Sequence, residues 1–472
     1  MIAIIEKVYQ FLWGDWIVLP LPGGSSFRLS LLVLILIPAG IWFTIRTRFL
    51  PIRLFPDMLH ALFEKKEKAE GESHNSTLSA LQTLIVSTAT RVGMGNLVGV
   101  VAAISAGGAG AVFWMWVTAL IGSSTAFVEA TLAQIYKEKD PVYGGYRGGP
   151  AYYMHRFIQE KRGGKKKRYV GISVLFAISG LICWCGISQV ISNSVTSAFH
   201  NAFHIPPIYT TVVLVALAAV IIFRKTATVK VLDVLVPVMA GCYFLITVIL
   251  ICMNFSALPG VFSRIFEEAF GIRQAVAGGL GTVVMNGVKR GLFSNEAGSG
   301  SAPCAAAAAE SDQPVKLGLT QALGVFIDTI VICSCTAMIM LLTPESLTEG
   351  AVGMELLQAA MGYHLGQFGV IFIAATLWLF SFSTFLGILY YARSNISYLF
   401  GDGMLPQNLY KVLALVMMFI GGLAAYTVVW DLGDVGVGLM TVFNIIMLYP
   451  MSGIAIKALK SYEAEKRNRK KR

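Results

Sequence analysis

The chain has 472 residues, 56% of them hydrophobic and 13% charged, with a mean hydropathy of +0.69. A soluble domain carries about 25% charged residues, so this composition excludes an ordinary soluble enzyme or binding module and indicates a polytopic membrane protein. The net charge of +11 calls for no nucleic-acid partner, because the basic residues are sorted by side of the membrane.

In chain order, residues 1–28 lack an early basic region before an apolar core, which argues against a signal peptide. They read as a short amphipathic helix at the outer surface. Eleven apolar spans follow: 29–48, 78–105, 110–136, 170–197, 208–224, 231–254, 275–309, 316–343, 366–393, 408–429 and 434–457. Each is long enough, or nearly so, to cross ~30 Å of hydrocarbon. A basic tail, 458–472, ends the chain.

With the N-terminus outside, the outer segments hold only Lys7, Arg28, Arg264 and Arg273. Arg91, Lys289 and Arg290 lie inside spans. The other lysines and arginines, 30 of 37 once those four and three are set aside, fall on the opposite side. The asymmetry makes that side cytoplasmic, with the C-terminus inside. The run from Lys161 to Arg168 would suit anionic membrane lipids, but topology alone accounts for it.

Two spans are wrong for simple membrane helices. In Thr88-Ala-Thr-Arg-Val-Gly-Met-Gly-Asn96, Gly93 and Gly95 permit unwinding. Arg91 costs at least ~2.5–3.5 kcal/mol unless paired or set against a polar cavity. In Phe293-Ser-Asn-Glu-Ala-Gly-Ser-Gly-Ser301 the same combination of glycine and charge recurs. Setting the first span aside leaves five spans and five, 78–254 and 275–457, and each set opens with a broken helix. Five is odd, so the halves are inverted. The expected fold is all-α, with eleven transmembrane helices in a five-plus-five inverted repeat plus one extra N-terminal helix. Paired breaks of this kind point to the binding site of a secondary transporter.

At such a break, free N–H groups and the positive dipole end of the outer half would hold a substrate carboxylate at Gly95–Asn96, with Thr90, Gly93 and Met94 alongside. Carbonyls ending the inner half, near Ala89 and Val92, suit a hard cation such as Na⁺. Ser383 and Thr384 are the hydroxyls best placed in sequence to complete its shell, unless they bond back to their own helix. Gln189 would hold a substrate ammonium or join two helices. Glu129, Glu296 and Asp328 are the acids read within spans; Arg91 with Glu296, Glu129 with either broken helix, and a proton relay are alternatives. The seven cysteines form no CxxC, and the six histidines, all in expected loops, show no HExxH spacing. No P-loop and no nucleophile triad is present. An enzyme is not expected.

Residues 107–122 read Gly107-Gly-Ala-Gly-Ala-Val-Phe-Trp-Met-Trp-Val-Thr-Ala-Leu-Ile-Gly122, which resembles the signature of the alanine or glycine:cation symporter family. Val92-Gly-Met-Gly-Asn96, Glu129-Ala-Thr-Leu-Ala133, Tyr146-Arg-Gly-Gly-Pro150 and the stretch from Phe293 to Pro303 support it. The resemblance implies a leucine-transporter-like fold in a bacterial or archaeal inner membrane, with uptake of small neutral amino acids coupled to sodium. Proton coupling through Glu129 or Asp328, and a membrane receptor or channel that uses the fold without coupled transport, are the rival readings. By motif it implies that Asn96, Gln189, Phe293, Ser294, Asn295 and Thr384 line the substrate site, and that Ala89, Val92, Phe380, Ser383 and Thr384 hold sodium. Three departures bear on the substrate. Met94 stands where the family has threonine, Ile388 where it has tryptophan, and Ala392-Arg393 where it has Gly-Glu. Ile388 is one helical turn beyond Thr384 and so joins the expected pocket wall. Oligomeric state is not legible at this level.

Overall fold

Inside lipid every backbone N–H and C=O must be satisfied within its own segment, and helices meet that demand along nearly the whole chain. A computed structural model describes residues 2–20, 26–63, 93–142, 144–164, 168–223, 227–272, 279–309, 311, 313–347, 351 and 353–471. Thr88, Ala89, Thr90, Arg91 and Val92 lie outside the described residues, and so does His74.

The chain opens with α1 (Ile2–Trp13) and an antiparallel pair, β1 (Ile17–Pro20) with β2 (Ser26–Leu29), in which Ile17 faces Leu29. Helix α2 (Leu31–Arg46) starts from Ser30, whose hydroxyl accepts from Val33 N at 3.3 Å and caps the helix. Short helices α3 (Leu50–Arg53) and α4 (Phe55–Phe63) follow. After the undescribed stretch, a π-helical turn at Gly95–Gly99 runs into α5 (Val100–Gly107). Next come α6 (Gly110–Ile135), a two-residue pair β3 (Glu138–Lys139) and β4 (Tyr146–Arg147), and α7 (Pro150–Lys161). Helices α8 (Gly171–Phe203), α9 (Pro207–Phe223), α10 (Ala227–Met253) and α11 (Leu258–Ala269) complete the first part of the chain.

The second part opens with α12 (Gly279–Asn295) and α13 (Ala302–Ala308), separated by the break expected there. Glu296, Gly298 and Gly300 have φ of 57°, 95° and 83°, left-handed values that no continuing helix accepts. Helix α14 (Pro314–Phe326), a π-helical stretch at Ile327–Cys333 and α15 (Ser334–Leu341) make up one further span. Its interruption was not anticipated from sequence. Helix α16 (Met354–Phe400) bends at Gly366, where φ is 60° and ψ −151°, so its membrane half begins where hydropathy places it. Helices α17 (Met404–Leu423) and α18 (Tyr426–Lys471) end the fold.

Among the described residues, six helices are long and apolar enough to cross a membrane, or seven when the pair bent by 77° between Pro237 and Ala269 is taken as one span. Helices α2, α5 with its π turn, and α9 are apolar but shorter. Leu409, Val412, Val416 and Ile420 of α17, and Val212, Val213 and Val220 of α9, are exposed apolar faces such as lipid covers. Helix α8 is the central post, packed against α16, α17 and α18, while α6 packs against α2, α12 and α14.

Two sequence expectations are corrected. His60, His155, His200 and His364 lie in α4, α7, α8 and α16, and not in loops. His200 and His364 lie where a helix continues past its apolar window, and His60 and His155 lie in short helices between the spans, so both kinds read as loops. Helix α1 is amphipathic as expected, with Ile4 and Phe11 exposed, but it is not merely a surface float, because Leu12 and Trp13 are fully buried.

Candidate functional site

The segment that begins at Gly93 meets the second break. A Cβ added to Gly95 would lie 3.2 Å from Ser294 Cα, and one added to Gly93 would lie 2.2 Å from Thr384 Oγ1. Glycine is therefore required at position 93 by the close approach of α16, and not only for unwinding. Met94 N donates to Thr384 Oγ1 at 3.2 Å, which ties the start of the first described helical turn to α16.

Asn96 is the hub. Its Oδ1 accepts from Gly93 N at 2.9 Å. Its Nδ2 donates to Asp328 Oδ1 at 2.7 Å and faces Ser294 Oγ at 3.2 Å. Asp328 Oδ2 accepts from Ser294 Oγ and from Thr329 Oγ1, both at 2.9 Å. Asn295 Nδ2 donates to Thr329 Oγ1 at 3.3 Å, and its Oδ1 accepts Ala297 N at 3.0 Å inside the break. The carbonyl of Asn96, freed by the π turn, accepts from Thr336 Oγ1 at 2.7 Å. Asn96, Ser294, Asn295, Asp328 and Thr329 are all fully or almost fully buried. The result is a buried cluster of a carboxylate, hydroxyls and amides drawn from three helices and hydrogen-bonded to one another.

Π-helical turns commonly mark functional sites because they free carbonyls and re-aim side chains. Here one carries Asn96 and the other carries Asp328.

The structure brings Gly93, Met94, Gly95, Asn96, Ser294, Asn295 and Thr384 together. Phe380 and Ser383 lie on the buried face of α16 beside Thr384, and an added Cβ on Gly93 would sit 3.6 Å from the Phe380 carbonyl. Their expected partners Ala89 and Val92, and the expected substrate contact Thr90, are outside the described residues. Ile388 is buried one turn beyond Thr384. Phe293 sits at the end of α12, its ring 5.0 Å from that of Trp430. Gln189 stands apart: its amide faces Met417 Sδ at 3.6 Å, and its backbone meets Gly421 of α17. Joining two helices is the role it fills here.

A second polar centre supports the later break. Glu129 Oε2 accepts Gly298 N at 3.1 Å, and Oε1 accepts the amide of Asn444, whose oxygen is held by the Tyr153 hydroxyl. Of the pairings open at sequence level, Glu129 with a broken helix is thus present. Tyr391 OH donates to Glu296 Oε2 at 3.3 Å.

A third centre went unnoticed in the sequence. Asp434 pairs with Lys289 at 2.5 Å and bidentately with Arg290 at 3.1 and 3.2 Å, all three nearly inaccessible. The Arg290 guanidinium lies 3.8 Å over the Trp430 ring, which in turn packs on Phe293. The signal was available. Two adjacent cations inside a span demand a counter-ion, and Asp434 opens the last span.

Residues 23–472 match the family model described as the sodium:alanine symporter family. The chain is 41% identical over 447 residues to an amino-acid carrier protein, AlsT, of Bacillus subtilis, covering 94% of this chain and 91% of that one. It is also 41% identical over 442 residues to a probable sodium/glutamine symporter, GlnT, of the same organism, covering 93% and 89%. Among solved structures, a manganese transporter of Eremococcus coleocola superposes with a TM-score of 0.51 at 11% identity, over 84% of this chain and 82% of that one. That likeness speaks for a shared transporter fold and nothing more.

Proposed function

Since the chain belongs to the sodium:alanine symporter family, we propose that it imports a small neutral amino acid together with Na⁺, by alternating access to the site between its two broken helices. Members of this family are transporters and not enzymes, and the chain is a multi-pass membrane protein of the cell membrane. The observation that carries the proposal is Asn96, whose amide spans from the first break to Ser294 at the second and to Asp328.

In this reading the substrate carboxylate lies against the N–H groups at Gly95–Asn96, and its ammonium lies toward Asp328 and Ser294. Sodium sits against Phe380, Ser383 and Thr384, with Ala89 and Val92 across from them. The full architecture is eleven spans, with 78–254 and 275–457 as inverted repeats, the extra helix 29–48 before them and the basic tail 458–472 after them. The face rich in lysine and arginine is cytoplasmic. Contacts between loops agree with that partition: Arg53 pairs with Glu463 at 2.6 Å, Lys466 with Asp57, Arg147 with Asp402 and Arg393 with Asp140, every pair joining segments assigned to the same side.

Asp328 also supports a second reading, proton coupling, because a buried carboxylate between the breaks can bind a proton as well as a cation. One experiment separates the two. Purified protein in proteoliposomes is offered a panel of labelled amino acids, with Na⁺ or choline outside and with or without a proton gradient. Uptake only with Na⁺ supports sodium symport; full uptake in choline driven by protons supports the second reading. No gradient-dependent uptake of any neutral amino acid would remove both.

A further inference from the structure

Helix α1 ends on the third polar centre. Trp13 and Leu12 are 2% and 1% exposed, although Ile4 and Phe11 of the same helix are 68% and 54% exposed. The indole Nε1 of Trp13 donates to the Asp434 carbonyl at 3.0 Å. Lys289 Nζ donates to Tyr9 OH at 2.7 Å, and its ammonium lies 4.6 Å from the Tyr9 ring and 5.4 Å from the Trp13 ring. The same ammonium pairs with Asp434. Helix α1 therefore touches both partners of an ion pair that joins α12 to α18.

This ion pair stands next to the candidate site. Arg290, adjacent to Lys289, stacks on Trp430, and Trp430 packs on Phe293 at the second break. An unbroken line of contacts thus runs from α1 to the site wall. The cluster holds Lys289 and Arg290 against Asp434, the nearby Asp431 carboxylate also acts on both cations, and Arg290 Nε has no hydrogen-bond partner among the described residues. A buried donor left unmet favours an arrangement in which water can reach it, unless something holds it closed. The seat of α1 supplies such a hold through one turn of helix, two aromatic rings and two hydrogen bonds. Val8 of the same helix also packs on the core, and the chain continues into the β1–β2 hairpin, which packs on α12.

We propose that α1 is a latch on the outer closure of the transport path: with Tyr9 and Trp13 seated, Lys289 and Asp434 hold α12 to α18 above Phe293, and opening to the outside requires α1 to lift. The proposal rests on the transport reading and on an outer N-terminus. A static anchor would show the same contacts but would never leave its seat during transport.

The test immobilises the latch. Leu12→Cys and Gly438→Cys place thiols at neighbouring positions, since an added Cβ on Gly438 lies 3.0 Å from Leu12 Cδ1. A short bis-methanethiosulfonate bridges them, and wild type treated with the same reagent controls for native cysteines. The bridged protein should lose uptake at least about tenfold, and reductant should restore it. Uptake by the bridged protein at the unbridged rate would overturn the latch. If wild type takes up no amino acid, the transport reading fails instead; if only the unbridged variant is inactive, the second measurement decides the latch by itself. In wild type, amide hydrogen exchange in residues 2–13 should differ severalfold between Na⁺ and choline. Identical exchange in both, together with unaltered exchange at Lys289 and Arg290 in Trp13→Phe, would show α1 to be a fixed anchor.

Discussion

The amide nitrogen of Asn96 lies 2.7 Å from a carboxylate oxygen of Asp328, across 232 residues of sequence. One π-helical turn presents the donor and another presents the acceptor, so each helix gives up regular geometry at the point where they meet. Ser294, from the second break, donates to the other carboxylate oxygen. The site is therefore held from three directions by a single acid.

Asp328→Asn keeps the volume but removes the charge and sets an N–H₂ against donors. Hydrogen bonds to a charged group contribute ~1.5–3 kcal/mol net, so the variant should lose about that much stability. Uptake should fall at least ~10-fold, the equivalent of ~1.4 kcal/mol. Thermal unfolding in detergent and initial uptake rates check both parts. Wild-type uptake by a stable variant would remove Asp328 from the site.

Thr384 accepts from Met94 N and, in the proposed function, also offers an oxygen to sodium. Thr384→Ala should raise the Na⁺ concentration for half-maximal uptake, on the order of 10-fold. Thr384→Ser, which keeps the hydroxyl, should stay near wild type. A sodium titration of initial rates decides it, and an unchanged Na⁺ dependence in the alanine variant would place the ion elsewhere.

Asp434 pairs with two buried cations, so Asp434→Asn and Lys289→Met should differ sharply. Removing the acid strands Lys289 and Arg290 and should cost ~3–5 kcal/mol, seen as poor expression and a lower melting temperature. Removing Lys289 leaves Arg290 and Asp434 as a neutral bidentate pair and should cost clearly less. Equal losses would mean that the three charges do not act as one cluster.

Ile388 stands one turn beyond Thr384, where the family usually has tryptophan. If it lines the pocket, wild type should accept side chains larger than that of alanine, with a gain of ~0.8 kcal/mol for each further buried methylene. Glutamine, serine, threonine and methionine are the side chains to try. Ile388→Trp should shift preference toward glycine and alanine without altering the sodium dependence. Competition against labelled alanine by a graded series measures this. Unchanged selectivity would show that Met94, buried beside Thr384, sets the wall instead.

Several features were legible because they are local. Hydropathy located the long apolar helices, six or seven among the described residues, and glycine with charge in the stretch Phe293–Ser301 located the second break, where Glu296 and two glycines take positive φ. Gly366 bends α16 at the residue where the apolar window begins. Motif resemblance named the family that the full-length match shows. Asn96, Ser294, Asn295 and Thr384 were singled out in advance and do converge.

Other features were not legible. The π-helical stretch around Asp328 has no glycine or proline to announce it. Gln189 read either as a ligand for an ammonium or as a link between two helices, and only the packing shows that it faces Met417, because residues on one helix do not reveal which neighbour they will meet. Trp13 read as part of a surface helix and is buried against Asp434. Composition, span positions, charge asymmetry and the backbone's ability to break at glycine are properties of consecutive residues, and the sequence by itself determined them. Which carboxylate serves Lys289 and Arg290, which amide bridges the two breaks, and where α1 comes to rest were decided only by the tertiary structure. A buried charge or amide takes whatever partner the helix packing places within 3 Å or so, and that packing joins residues hundreds of positions apart.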